Sequence, residues 1–245
     1  MKLSQFFAEN PAVALAYSGG VDSGFLLYAA MQAGCRVKAY YVKSAFQPEF
    51  EYEDACRLVK ELGAEMQVIS LDVLSNPCIA RNHENRCYDC KRAIMTAILA
   101  QAERDGYRVL IDGTNASDDS ADRPGMAALA ELSVRSPLRE AGLTKSEIRR
   151  LSKEVGLFTW DKPAYACLAT RIPTGTEITK ELLETTEKAE RYLMTLGFRD
   201  FRLRQTGRLQ VTKDQLPLAQ GLWEEITTKL KQDYPVLTLE ERNGS

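Results

Sequence analysis

Ala14-Leu15-Ala16-Tyr17-Ser18-Gly19-Gly20-Val21-Asp22-Ser23 is the stretch on which the fold turns. The apolar run Val13 to Ala16 reads as a buried first strand, and Gly24 to Ala30 reads as a helix. Between them a glycine-rich turn feeds a helix N-terminus. Such a turn aims several backbone N–H groups and the helix dipole at one point, a geometry that suits a phosphate. Gly19 and Gly20 let the backbone approach an anion closely, and the hydroxyls of Ser18 and Ser23 add donors. No lysine follows the glycines, so this is not the G-x-x-x-x-G-K-[ST] loop that grips a γ-phosphate. The plainer reading is a strand-to-helix turn with capping Ser and Asp.

Outward from that turn the chain alternates. Arg36 to Val42 reads as a second strand, Phe50 to Leu62 as an amphipathic helix and Ala64 to Leu71 as a third strand. Strand-helix alternation of this kind predicts an α/β fold whose parallel sheet is covered on both faces. The alternation pauses over Asp72 to Asn85 and at Arg86-Cys87-Tyr88-Asp89-Cys90-Lys91, taken as loop. It resumes with a helix from Arg92 to Gly106 and a strand from Arg108 to Ile111. Asp112-Gly113-Thr114-Asn115 then falls at the carboxyl edge of the sheet, where open α/β folds bind ligands. A loop with Asp118, Asp119, Asp122 and Arg123 precedes an alanine-rich helix to Leu132, and Thr144 with Glu147 has capping-box spacing. After a stretch without periodicity come a helix from Thr179 to Leu196, a hairpin turning at Thr206-Gly207, a helix from Leu216 to Lys231 and a last strand from Pro235 to Leu239. The change of pattern predicts a main domain over 1–171 and a small α+β domain over 172–245.

Bulk properties narrow the partners. A chain of 245 residues has room for a sizeable core. Its net charge is -2 and it has no long basic run, so neither DNA nor RNA is the expected partner. No apolar stretch approaches the ~20 residues that span a bilayer, and the start lacks a signal-peptide pattern. A cytoplasmic protein without membrane attachment is expected. Six cysteines in a reducing compartment do not read as a disulfide framework. Cys35 and Cys56 sit in apolar patterns and read as small buried hydrophobes.

The other four cysteines lie in loop-like sequence. Cys87 and Cys90 form a C-x-x-C pair without the second pair of a zinc site, and His83 is the sole histidine. A thioredoxin-type redox pair is one reading of it. Cys167 precedes Arg171, a cation that favours a thiolate, although its Ala-Leu-Ala surroundings also suit a buried small residue. Three thiolates from Cys87, Cys90 and Cys167 leave one position open on a [4Fe–4S] cluster, or the thiols act separately, one of them as a persulfide. Spacing alone leaves these alternatives open, and Cys78 stands close enough in sequence to replace one member.

The hexapeptide Ser18 to Ser23 resembles the SGGxDS signature of the PP-loop ATP pyrophosphatases. Taken with Arg-Cys-Tyr-Asp-Cys-Lys, Asp-Gly-Thr-Asn, Arg-Pro-Gly, Val-Arg-Ser-Pro-Leu, Trp-Asp-Lys-Pro-Ala and Ala-Cys-Leu-Ala-Thr-Arg-Ile-Pro, it is similar to the LarE family of ATP-dependent sulfur transferases over essentially the whole chain. The resemblance implies an adenine-nucleotide α-hydrolase-like sheet, ATP and Mg²⁺, and a small anionic nucleotide as sulfur acceptor. That acceptor is a pyridinium dicarboxylate mononucleotide, thiolated on the way to a nickel-pincer cofactor. It implies that Ser18, Gly19, Gly20, Val21, Asp22 and Ser23 hold the pyrophosphate with Mg²⁺, and that Gly113 closes over the adenylate. Arg171, Arg202 and Arg204 are then expected to bind the substrate's phosphate or carboxylates. Cys167 matches the cysteine that some members sacrifice, and Cys87 and Cys90 fit the three-cysteine, cluster-bearing version. Sulfide or a sulfur-donor protein and a homo-oligomer complete the expectation. Two rivals are a tRNA-thiolating PP-loop enzyme, which calls for a basic RNA-binding appendage, and a non-catalytic nucleotide sensor.

Overall fold

The computed structural model describes residues 2–118 and 124–242, so Asp119, Asp122 and the Arg123 of the Arg-Pro-Gly motif lie outside the described residues. In chain order the first elements are α1 (Leu3–Glu9), β1 (Ala12–Ala16), α2 (Val21–Gln32), β2 (Arg36–Lys43), α3 (Glu49–Leu62) and β3 (Glu65–Ser70). There follow α4 (Pro77–Ala80), α5 (Arg86–Arg104), β4 (Leu110–Asp112), α6 (Pro124–Glu131), α7 (Pro137–Glu140) and α8 (Lys145–Glu154). The remainder is α9 (Lys180–Thr195), β5 (Phe201–Leu203), β6 (Arg208–Thr212), α10 (Leu216–Gly221), α11 (Trp223–Leu230) and β7 (Thr238–Arg242).

The chain divides into two compact units. One comprises the residues up to Val73 together with Asn85–Lys162, and the other comprises Leu74–Glu84 together with the residues from Pro163 onward. The first holds the expected parallel sheet, in the order β3-β2-β1-β4. Its central strand shows why a continuous apolar run was needed. Val13 and Leu15 pack into one hydrophobic cluster with Phe6, Leu26 and Leu58, whereas Ala14 packs into a second with Tyr40, Met95 and Ile98. Alternate side chains of β1 thus serve opposite faces, and both are buried. The strand order reverses at β1. From it the chain steps outward through β2 and β3, then returns to place β4 on the other side. Crevices at such a switch point are where α/β sheets bind ligands.

Helix α5 starts at Arg86, earlier than the Arg92 expected, so Cys87 and Cys90 lie in its first turn and not in a loop. The reason is local. No Gly or Pro interrupts 86–104, and the Tyr88 N–H already donates to Asn85 O at 2.9 Å. Cys78, also read as loop, sits in the short α4, where the Asn76 side chain accepts from Cys78 N.

The second unit contains the three-stranded sheet β5-β6-β7, with β5 antiparallel and β7 parallel to β6. Its longer stretch starts at Pro163, whereas the sequence pattern places the start of the small domain at 172. Residues before it belong here because Gln205 N–H donates to Arg171 O at 2.9 Å and Arg171 is ion-paired with Glu190 of α9. The 74–84 segment belongs here as well. The Asn82 side-chain amide donates to Pro173 O at 2.8 Å, and Ile178 N–H donates to Ala80 O at 2.7 Å. The helix predicted over Leu216 to Lys231 is two, α10 and α11, and the final strand starts at Thr238, beyond Pro235. The Thr206-Gly207 turn requires its glycine, since φ is +83° and a Cβ would fall 2.0 Å from Val236 O. Among the described residues no helix is long and apolar enough to cross a membrane.

Candidate active site

In the first unit the loop between β1 and α2 is held open by its own hydroxyls. Ser18 N–H donates to Ser23 Oγ at 3.3 Å, the two serine hydroxyls lie 3.1 Å apart, and Ser23 Oγ donates to Gly20 O at 3.3 Å. Gly19 has φ +75°, and a Cβ there would meet Ala55 Cβ of α3 at 2.7 Å. Both the backbone conformation and the packing therefore demand glycine. Gly20 occupies the N-cap position of α2 and supplies no side-chain cap. The first N–H groups of that helix have no intrahelical acceptor, so they and the positive end of the dipole are available to an anion.

The turn after β4 closes the same region from the other side. Asp112, buried, accepts from Ser136 Oγ at 2.7 Å, from Thr114 Oγ1 at 2.6 Å and from Thr114 N–H at 3.2 Å. This fixes Gly113 against the start of α2, where a Cβ would lie 2.9 Å from Ser23 N. Val21, Asp22, Ser23 and Gly113 are thus brought together at the β1/β4 switch point.

Asp22 is the charged group of this region. Its Oδ2 accepts from Lys145 Nζ of α8 at 2.5 Å, while its Oδ1 is buried with no hydrogen-bond partner among the described residues. Burial pushes its carboxyl above the usual carboxylate range, and Lys145 opposes that without cancelling it. An orphaned, hard oxygen donor beside an anion-binding helix end fits Mg²⁺, so Asp22 would hold the ion, whose charge would offset that of the departing pyrophosphate. Lys145 was missed by sequence reasoning, which saw Thr144-Lys145-Ser146-Glu147 only as a helix start. The capping box is real: the Glu147 N–H donates to Thr144 Oγ1 and Thr144 N–H donates to Glu147 Oε2. It also aims Lys145 at Asp22.

Cys87 and Cys90 share one face of the first turn of α5, three residues apart. Cys87 is exposed, Cys90 partly so, and Arg86 Nη2 donates to Cys87 Sγ at 3.4 Å. Among the described residues no three His, Cys, Asp or Glu side chains are gathered to hold a metal ion.

Cys167, Arg171, Arg202 and Arg204 belong to the second unit. Cys167 caps a 3-10 turn over Leu168–Arg171 and is partly exposed, with its carbonyl accepting from Thr170 N–H at 3.0 Å and Thr170 Oγ1 at 2.8 Å. Arg204 Nη1 donates to Thr170 O at 2.5 Å, which brings one expected substrate contact beside the cysteine turn. Burial, then the charges of neighbouring arginines, hold Arg202 and Arg204 below the usual arginine range. Positive charge so crowded gains from a bound anion. Arg171 differs from these two. Its guanidinium is 1% exposed and grips Glu190, also 1% exposed. Glu190 had a signal that went unread: it is a carboxylate on the buried stripe Leu183, Thr186, Glu190, Leu193 of an otherwise amphipathic helix.

Comparison with known proteins places this geometry. The profile of the thiamine biosynthesis protein (ThiI) family matches residues 7–194. An uncharacterised protein of Synechocystis sp. is 38% identical over 221 residues, covering 87% of this chain and 81% of that protein. The pyridinium-3,5-bisthiocarboxylic acid mononucleotide synthase of Lactiplantibacillus plantarum is 34% identical over 194 residues, covering 78% and 70%. An uncharacterised protein of Methanocaldococcus jannaschii is 30% identical over 228 residues, covering 92% and 87%. With the SGGVDS loop at the switch point of its parallel sheet, the chain belongs to the LarE family of PP-loop enzymes, ATP- and Mg²⁺-dependent sulfur transferases.

Proposed function

We propose that this enzyme adenylates the carboxylate of a pyridinium dicarboxylate mononucleotide and replaces the activated oxygen by sulfur, giving a thiocarboxylate. The observation that carries the reading is the uncapped, glycine-lined N-terminus of α2, with Asp22 Oδ1, unpartnered among the described residues, beside it. The name of the Lactiplantibacillus relative supports the substrate. A carboxylate is a poor electrophile because its oxygen leaves badly. Attack of that oxygen on the α-phosphorus of ATP expels pyrophosphate and makes AMP the leaving group. A sulfur nucleophile then forms the C–S bond as the C–O bond to AMP breaks.

Each unit takes one share of this. Ser18, Gly19, Gly20, Val21 and Ser23 hold the pyrophosphate through N–H and hydroxyl donors, Lys145 is the nearby cation, and Gly113 borders the adenylate. Arg202 and Arg204 hold the substrate's phosphate or carboxylate. Cys167 is the thiol of the sulfur step. The finer part of the proposal is that Cys87, Cys90 and Cys167 ligate a [4Fe–4S] cluster. The soft thiol pair one helical turn apart suits iron–sulfur ligation in donor chemistry. When bound, such a cluster with one iron lacking a protein thiolate would supply a binding place for sulfide from solution or a donor protein. A cytoplasmic homo-oligomer completes the proposal, and sedimentation velocity tests the assembly.

Phosphorus NMR of a turnover mixture, paired with mass spectrometry of the pyridinium nucleotide, tests the chemistry. AMP, pyrophosphate and a nucleotide with sulfur in place of oxygen are expected, whereas ADP and orthophosphate refute it. The tRNA-thiolating rival shares the SGGVDS loop and the cysteines. Thiolated nucleosides missing from the tRNA of a deletion strain favour that rival.

A further inference from the structure

We infer that Arg171 and Glu190 form a buried clamp that fixes the backbone around Cys167, which makes Arg171 a positioning residue for the thiol and not a substrate contact. The inference rests on the proposed role of Cys167 in sulfur transfer. Arg171 Nε donates to Glu190 Oε1 at 2.9 Å and Nη2 donates to Oε2 at 3.0 Å, a two-pronged pair. The remaining nitrogen turns to the cysteine segment, where Nη1 donates to Ala166 O at 2.7 Å and to Thr170 Oγ1 at 2.9 Å. The carboxylate is shared in the same way. Glu190 Oε1 accepts Leu203 N–H of β5 at 2.8 Å, and Glu190 Oε2 accepts the Tyr165 hydroxyl. The Tyr165 ring lies 4.4 Å from the guanidinium.

The clamp therefore holds residues on both sides of Cys167 and ties them to α9 and β5. A buried ion pair adds little stability over two apolar side chains of the same volume, because both charges lose their hydration. What apolar side chains cannot do is hold a carbonyl and a hydroxyl at fixed points around one cysteine, and the planar guanidinium fork does so. With a guanidinium 1% exposed, Arg171 offers no face to a ligand. The cysteine is left partly exposed at the start of a turn, between the Ala166 carbonyl and the Thr170 hydroxyl that the guanidinium holds. Misplacing a reacting group by 1 Å costs about 10²-fold in rate.

The test is the double variant Arg171→Met/Glu190→Leu, which removes both charges together and leaves neither orphaned. A thermal midpoint within a few degrees of wild type is expected, with amide hydrogen exchange in the 165–172 peptide at least tenfold faster. Pyrophosphate release in the first turnover and the KM for the nucleotide stay within about threefold, and sulfur transfer slows about 10²-fold. A raised KM together with slower pyrophosphate release overturns the inference, since those mark a lost substrate contact. Wild-type exchange and wild-type transfer also overturn it. Should the double variant not fold, Tyr165→Phe deletes one hydroxyl from the clamp. Sulfur transfer slowed several-fold with pyrophosphate release intact supports the clamp, and unchanged transfer refutes it. If the wild-type chain neither releases pyrophosphate nor thiolates, the proposed function has failed, and the exchange comparison still decides the clamp.

Discussion

Asp22 carries a charge the fold disfavours, and that has a measurable sign. Its folded pKa is raised, by burial above all, over that of the unfolded chain. The favourable contribution of such a group is fully present below the unfolded pKa and is lost as pH rises through the folded value. At pH 7 the ionised Asp22 therefore lowers stability. Asp22→Asn should melt a few degrees higher than wild type at pH 7, with the gap closing as pH falls through the raised folded pKa toward that of the unfolded chain. The same variant should release pyrophosphate at least ~10²-fold more slowly, because its amide lacks the negative charge proposed to hold the metal. Calorimetry across pH together with a pyrophosphate assay checks both, and a lower melting point at pH 7 would falsify the stability half. Gly19→Ala tests the loop differently. It places a Cβ at φ +75° and 2.7 Å from Ala55 Cβ, so a loss of ~2–4 kcal/mol in stability and a raised KM for ATP are expected. Wild-type denaturation and KM would show that the loop has slack.

At the scale of elements, α8 does more than pack against α2. Its capping box fixes the start of the helix, and the first residue inside it, Lys145, reaches Asp22. Thr144→Ala should cost ~1 kcal/mol in a urea titration and raise the KM for ATP a few-fold, because the frayed first turn aims Lys145 less well. An unchanged KM with the stability loss present separates capping from aiming. This helix also shows what a sequence displays and what it hides. The capping box, the strand run through Ala14 and the glycine turn were legible because each depends on neighbours a few residues apart. The Lys145–Asp22 and Arg171–Glu190 pairs were not, since they join residues 123 and 19 positions apart and no local period marks them. The first turn of α5 was misread for a third reason. Asn, Cys and charge together look like a loop until one counts the missing glycines and prolines.

Over the whole molecule, the thiols named for the sulfur step are divided between the two units: Cys87 and Cys90 in the first, Cys167 in the second. A sacrificial route needs Cys167 alone, and nothing in that route gives Cys87 and Cys90 a task. A partly or fully exposed thiol pair on one helical turn contributes little to packing, and exposed thiols oxidise. The proposed iron–sulfur ligand set would give the pair a task, and it predicts colour and iron content. Anaerobically purified protein should be brown, and each of Cys87→Ala, Cys90→Ala and Cys167→Ala should lose the chromophore, most of the iron and sulfur transfer together. All three variants should still bind ATP, since the SGGVDS loop contains none of these residues. A colourless protein whose Cys167 peptide becomes lighter by one sulfur after a single turnover sinks the cluster and establishes the sacrificial route. In that outcome Cys87→Ala and Cys90→Ala should turn over once as wild type does, which the same mass spectra would record.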